Sequence, residues 1–250
     1  MSSKSPGKIV RPSKLTALIA AIAVCAGVVP SAGAAPLEDS KPLRIGIIGT
    51  GHIGGALARH WAKAGHEIVI ASRHPEKLND MAKSLGPKVR TGTAKEAATF
   101  GDVVLISIPY SATPQLGRDL QSELSGKIVL DTGNPYPNRD GAMAEDARKR
   151  GTGVASAQFL PGTRLVRAFN AIKWTDLTNE GNHPGEKYAI PLAGDDGEAL
   201  RVAQRLVRDA GFDPVVVGDL ARAKLFDVDT PVYVKLLTAA QTRKALSLPD

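Results

Sequence analysis

Short apolar runs alternate with longer segments of mixed polarity along residues 43–217. Residues 45–48, 67–71 and 102–108 are rich in Ile and Val, with the length and branching of buried strands. Between them lie segments of helical length with recognisable stops. Residues 55–64 end at Gly65, residues 75–85 start on Pro75 and end at Gly86-Pro87, and residues 94–99 make a short third helix. Residues 88–92 read as a brief strand between the last two. The alternation continues with a helix over 114–124, stopped by Gly126, and a strand over 127–130.

Beyond the turn-rich residues 137–141, the pattern predicts a helix over 142–150 and strands over 164–169, 187–193 and 214–217. A helix over 198–210, opened by Asp195-Asp196 and stopped by Gly211, precedes the last strand. Residues 179–185 read as a surface loop, and 230–245 carry apolar positions at helical spacing, suited to packing over a site or against a second subunit. Such alternation implies an α/β fold, a doubly wound and mainly parallel sheet with helices on both faces.

The stretch after the first strand carries chemistry. Gly49, Gly51 and Gly54 stand in G-x-G-x-x-G spacing between a strand and a helix, with a second strand after that helix. The first glycine permits the tight turn, the second lets backbone approach a pyrophosphate, and the third lets helix and sheet pack closely. Amides at the helix N-terminus then present a positive dipole end to an anion. This is the Rossmann-type dinucleotide site. Where NAD-type sites place an acid at the end of the second strand, this chain has Ser72, Arg73 and His74, with Lys77 one turn on. A hydroxyl and two cations suit a 2′-phosphate, so NADP(H) is the expected cofactor.

Composition narrows the class. Of 250 residues, 43% are hydrophobic, enough for a substantial core. The net charge of +7 is misleading, because Lys4, Lys8, Arg11 and Lys14 precede the first acid; without them the excess of bases is three. With aromatics at 4% and no dense basic stripe, nucleic acid is not an expected partner.

Those four bases precede an apolar run over 15–29 and small residues through Ala32-Gly33-Ala34-Ala35. This is the pattern of an export signal, with residues 1–35 as signal peptide and cleavage expected after Ala34 or Ala35. The run is short for a bilayer span, although an uncleaved N-terminal anchor is the alternative. Either places the domain outside the cytoplasm, in the periplasm or beyond. Cys25, the one cysteine, lies in that run, so a cleaved chain holds no thiol for disulfides, nucleophilic catalysis or thiolate metal sites. Residues 36–42 then form a linker, 43–220 the dinucleotide-binding domain and 221–250 a C-terminal helical extension.

The segments IGIIGTGHIG, IASRHPEK, DVVLISIPY, IVLDTGNPY, LPGTRLVRAFNAI, LAGDDGEA and GFDPVVVGDL, in this order, make the chain resemble the NADPH-dependent coenzyme F420 reductase family. The cytosolic domain of the six-transmembrane metalloreductases is similar to it. The resemblance implies that Thr50, Gly51, His52 and Ile53 lie against the diphosphate and that Ser72, Arg73 and Lys77 hold the 2′-phosphate. It also implies that Ile108 and Pro109 wall the cofactor, with Asn134, Pro135, Asn170, Ala171 and Ile172 near the nicotinamide. The implied reaction is hydride transfer between NADP(H) and a flavin-like or deazaflavin (F420) acceptor, a small molecule. The segment after Gly218 follows the family's end only loosely.

No dedicated acid or base is required for such a transfer, and no triad, paired carboxylates or metal cluster is legible; no catalytic or metal residue is expected. Tyr110 and Trp174 each suit either ring stacking or core packing. The alternatives are an NADPH-binding module that delivers electrons to a membrane redox partner, and an exported protein that binds a dinucleotide without turnover. A homodimer is compatible with the apolar C-terminal stretch.

Overall fold

The computed structural model describes residues 1–3, 7 and 41–249. Two compact units are distinguished, Met1–Ala35 and Pro36–Asp250, and the sheet belongs to the second. The expected apolar run of the export signal and its cleavage site lie outside the described residues. Among the described residues no helix is long and apolar enough to cross a membrane.

Eight strands form one sheet in the order β3-β2-β1-β4-β5-β6-β7-β8. They are β1 Arg44–Ile48, β2 Glu67–Ala71, β3 Val89–Gly92, β4 Val103–Ile106, β5 Ile128–Asp131, β6 Arg164–Arg167, β7 Ala189–Gly194 and β8 Asp213–Gly218. All neighbours are parallel except β6 and β7. The chain runs outward from β1 through β2 to β3, then returns to lay β4 on the other side of β1. That reversal opens a crevice at the carboxyl ends of β1 and β4, where open α/β sheets bind ligands.

Strand alternation sorts the apolar residues onto two faces. Ile45, Ile47, Ile68, Ile70, Val103 and Leu105 join Leu57 and Trp61 of the helix His52–Lys63 in one cluster. Ile48, Val69, Val104 and Ile106 turn the other way, onto Ala97 and Ala98 of the helix Ala94–Phe100. That second helix starts with a capping box in which Thr93 and Glu96 satisfy each other's backbone amides. The fully buried Trp61 donates its indole N–H to Leu206 O at 2.9 Å, tying the first helix to the helix Gly197–Asp209.

Some expected elements differ in detail. The helix expected over 75–85 is a 3₁₀ turn, Pro75–Leu78, followed by an α-helix, Asn79–Leu85. The one expected over 114–124 breaks at Leu120 into Thr113–Asp119 and Gln121–Leu124. Two helices, Thr152–Phe159 and Trp174–Asn179, had no clear sequence stripe. Of the C-terminal stretch 230–245 only Ala239–Ala245 is helical. Pro231 brings no N–H, and Val234 adopts a left-handed φ of 53°, so the chain cannot wind there. The helix begins where Thr238 and Gln241 form a capping box.

Candidate functional site

The glycine loop is fixed by backbone packing. Gly49 turns off β1 with φ of 97°, and a Cβ there would sit 2.2 Å from Ser107 O. A Cβ on Gly54 would meet Gly49 O at 2.0 Å, so the first helix packs directly on the turn. Gly51 is different. It is exposed, and a Cβ there would meet nothing within 4 Å. It also heads the helix His52–Lys63, whose N-terminus has no side-chain cap and no acid in its first turn. Open space in front of uncapped amides is a cradle for an anion, and it fits the diphosphate of a dinucleotide.

The neighbouring strand brings the second anion site. β1 and β2 pair in register to Ile48 and Ala71, and Gly49 N donates to Ala71 O at 2.9 Å. Ser72, Arg73 and Lys77 therefore follow beside the glycine loop. Ser72 Oγ accepts from His74 N at 3.0 Å, which leaves its hydroxyl hydrogen to donate. Arg73 and Lys77 are exposed and form no ion pair among the described residues. His74 instead lies 3.5 Å from Glu76. Two free cations and a donor hydroxyl fit a phosphate monoester.

Across the crevice is a cleft of about 740 Å³. Gly51, His52 and Ile53 line one part of it, and Ser107, Ile108 and Pro109 after β4 line another. Asn134, Tyr136 and Arg139 reach it from the loop after β5, and Asn170, Ile172 and Trp174 from the loop after β6. Tyr233 and Val234 enter from the C-terminal segment. Trp174 stacks on the imidazole of His52, with ring centroids 4.3 Å apart, while remaining 46% exposed.

The Asn134 amide donates to Asn170 O at 2.8 Å and lies 3.4 Å from the Tyr233 hydroxyl. The Asn170 amide donates to Phe226 O at 3.1 Å. The side-chain oxygens of both asparagines are buried without a hydrogen-bond partner. Unpaired buried acceptors are costly, and a carboxamide ligand can supply the missing donors.

Below this end sits a buried ion network. Arg167, with no exposed surface, donates to Asp131 at 2.7 Å and has Asp227 at 3.6 Å. Burial alone would lower the guanidinium pKa, but the two carboxylates outweigh it and hold it above its ordinary value. Asp227 also accepts from Thr152 N at 2.9 Å. One cation thus joins β5, β6 and the C-terminal segment. Asp140 organises the loop above, accepting from Ser111 N at 3.1 Å and Tyr136 N at 3.0 Å. Burial pushes its carboxyl pKa up, yet Arg139 and these backbone donors pull it down further, to about 2.

Of the expected residues, Gly51, His52, Ile53, Ile108, Pro109, Asn134, Asn170 and Ile172 line the cleft. Gly49, Thr50 and Gly54 shape the loop behind it, and Ser72, Arg73 and Lys77 lie off to its β2 side. Pro135 and Ala171 are buried beneath it. Tyr110, open to two readings in sequence, is a core residue: fully buried, edge-on to Phe159, its phenol pKa raised by burial to about 12. His60 and His66 are packing residues, bonded to Leu177 O at 2.7 Å and to Asp209 at 3.0 Å. Among the described residues no cluster of His, Cys, Asp and Glu could hold a metal. Tyr136, Arg139 and Tyr233 escaped sequence reading. Tyr136 follows Asn134-Pro135 directly and was within reach of it, whereas nothing local marks Tyr233.

Comparison with known proteins bears on the family of the chain. Residues 44–135 match the family model described as NADP oxidoreductase, coenzyme F420-dependent. An F420-dependent NADP reductase of Methanocaldococcus jannaschii is 31% identical, over 78% of this chain and 92% of its own length. The metalloreductase STEAP3 of Rattus norvegicus is 26% identical over 72% of this chain, which corresponds to 35% of that longer protein. A solved structure of a hypothetical protein from Sinorhizobium meliloti superposes with a TM-score of 0.70 at 28% identity, covering 80% of this chain and 96% of that one. With its glycine loop, the cations beside β2 and this match over nearly the whole of a relative, the chain belongs to the F420-dependent NADP reductase family, whose members are NADP-dependent oxidoreductases.

Proposed function

We propose that the protein moves a hydride between NADP(H) and a flavin-like acceptor, with the deazaflavin F420 as the first candidate. The observation that carries this reading is the pairing of an uncapped glycine-loop helix with Ser72, Arg73 and Lys77, beside a cleft partly walled by Ile108, Pro109 and Ile172. Bound nicotinamide supplies the hydride chemistry itself. The protein's part is to hold and orient. The glycine-loop amides bind the diphosphate and the Arg73–Lys77 pair the 2′-phosphate, and Ile108, Pro109 and Ile172 give the cleft apolar walls that keep water from the transfer. Asn134 and Asn170, with their unpaired carbonyl oxygens, fix a carboxamide.

The test is binding and turnover of NADPH and NADH by the purified protein, with F420, FMN and FAD as acceptors. NADPH-selective binding with turnover of one acceptor is expected. NADPH binding with no turnover of any soluble acceptor would overturn the acceptor assignment. Turnover appearing only on addition of a membrane fraction would support the second reading, electron delivery to a membrane partner, which the STEAP3 match favours. Export directed by residues 1–35 is part of the proposal, and fractionation of cells with antibody to the domain tests it.

A further inference from the structure

The cleft contains a polar pair that the nucleotide does not need. Tyr136 comes from the loop after β5 and Tyr233 from the C-terminal segment, 97 positions away, and their hydroxyls are in direct hydrogen-bond contact. Asn134 contributes an amide hydrogen toward the Tyr233 oxygen at 3.4 Å. Two phenols carry two hydrogens, and the contact between them uses one. Whichever hydroxyl donates, one O–H is left, and it has no acceptor among the described residues.

The surroundings hold this donor in place. The Arg139 guanidinium lies 5.0 Å over the Tyr136 ring, donates to Asn134 O at 2.7 Å and is itself paired with Asp140. On the other side Val234, a β-branched residue, is held at φ of 53° by an N–H bond to Ala171 O at 2.8 Å. A β-branched residue rarely adopts that conformation, and here it turns the chain so that Tyr233 reaches Tyr136. Burial and the Tyr136 contact raise the Tyr233 phenol pKa above its ordinary value, so the Tyr233 hydroxyl keeps its hydrogen.

Resting on the acceptor reading above, we propose that Tyr136 and Tyr233 act as one hydrogen-bond donor to the acceptor, gripping a ring edge that carries a carbonyl or ring-nitrogen lone pair. Such an edge is where negative charge gathers when a flavin-like ring system takes up a hydride. A fixed donor there favours the charged product over the starting ring. The pair therefore sets acceptor specificity for rings with a carbonyl-bearing edge, while the phosphates of NADP(H) are held at the glycine loop and beside β2.

Phenylalanine keeps the ring and removes the hydroxyl, so Tyr136→Phe, Tyr233→Phe and the double variant are the test. Binding of oxidised F420, FMN and FAD is read by quenching of each compound's own fluorescence without nucleotide, and NADPH binding by titration of its fluorescence. We expect each single variant to bind the preferred acceptor about tenfold more weakly, the size of one lost hydrogen bond. The double variant should be little worse than either single, because the two act as a unit, and NADPH affinity should be unchanged. Tyr136→Phe and Tyr233→Phe that bind the acceptor as wild type does, whatever their melting temperature, would overturn the assignment. So would equal weakening of NADPH and acceptor. A wild type that binds NADPH but none of the three acceptors would overturn the acceptor reading itself, and this assignment with it.

Discussion

The glycine loop and the Asn134–Tyr233 cluster line one cleft but are put together differently. The loop is local in sequence: Gly49, Gly51 and Gly54 lie within a few residues, and the groups that enforce Gly49 and Gly54 are the Ser107 carbonyl and the Gly49 turn. The cluster is assembled from distant parts. Its members come from the loops after β5 and β6 and from the C-terminal segment, held over the buried Arg167–Asp131–Asp227 network. A local device depends on few distant groups, whereas an assembled one depends on its support. In the proposed function, the nucleotide end is accordingly the portable part of the fold, and the acceptor end is the part that a divergent C-terminus can re-specify.

The largest effect should come from removing that support. Arg167→Met leaves two carboxylates buried without their cation and should cost about 3–5 kcal/mol in chemical denaturation. If stability is unchanged, the network does not hold the cluster. Next comes a contrast within the loop. Gly54→Ala forces a Cβ onto Gly49 O and should cost about 1–3 kcal/mol while weakening NADPH. Gly51→Ala meets open space, so its melting temperature should stay at the wild-type value while NADPH binding still falls. If both variants lose stability alike, the cradle at Gly51 is not open as described.

Smaller and more selective is Arg73→Ala. It should weaken NADPH about tenfold and leave NADH nearly unchanged, since only NADPH carries the phosphate. Equal weakening of both would sink the 2′-phosphate assignment. Of similar size, and confined to acid, is a pH effect at the other end. The folded Asp140 pKa of about 2 lies below the ordinary value, so its contribution is complete above about pH 4 and is lost as pH falls through 2. Between pH 4 and 2 the wild type should lose stability faster than Asp140→Asn, and parallel acid melts would contradict this.

Legibility in the sequence followed the same division. The strand–turn–helix–strand run around Gly49 could be read because each step has a short-range cause: branched apolar residues, a glycine turn, and a period that changes with the element. Helix Thr152–Phe159 could not, because its partly buried surface lacks a one-sided stripe. The irregular course of residues 230–238 was hidden for another reason. Their apolar spacing fits a helix, but Val234 is fixed in a left-handed turn by the distant Ala171 carbonyl. Asn134 and Asn170 were found through their motifs. Tyr233 was not, since its role depends on a partner 97 residues away.

The amino-acid sequence by itself determined the sheet's mainly parallel, doubly wound character, the glycine cradle and the cations beside it. Those features rest on residues near one another in the chain, where propensity and spacing act directly. Only the tertiary structure decided that β7 turns antiparallel to β6, that Trp174 stacks on His52, and that two phenols meet in the cleft. Each of those depends on which distant surfaces pack together and which buried charges must find partners, and only the folded chain resolves that competition.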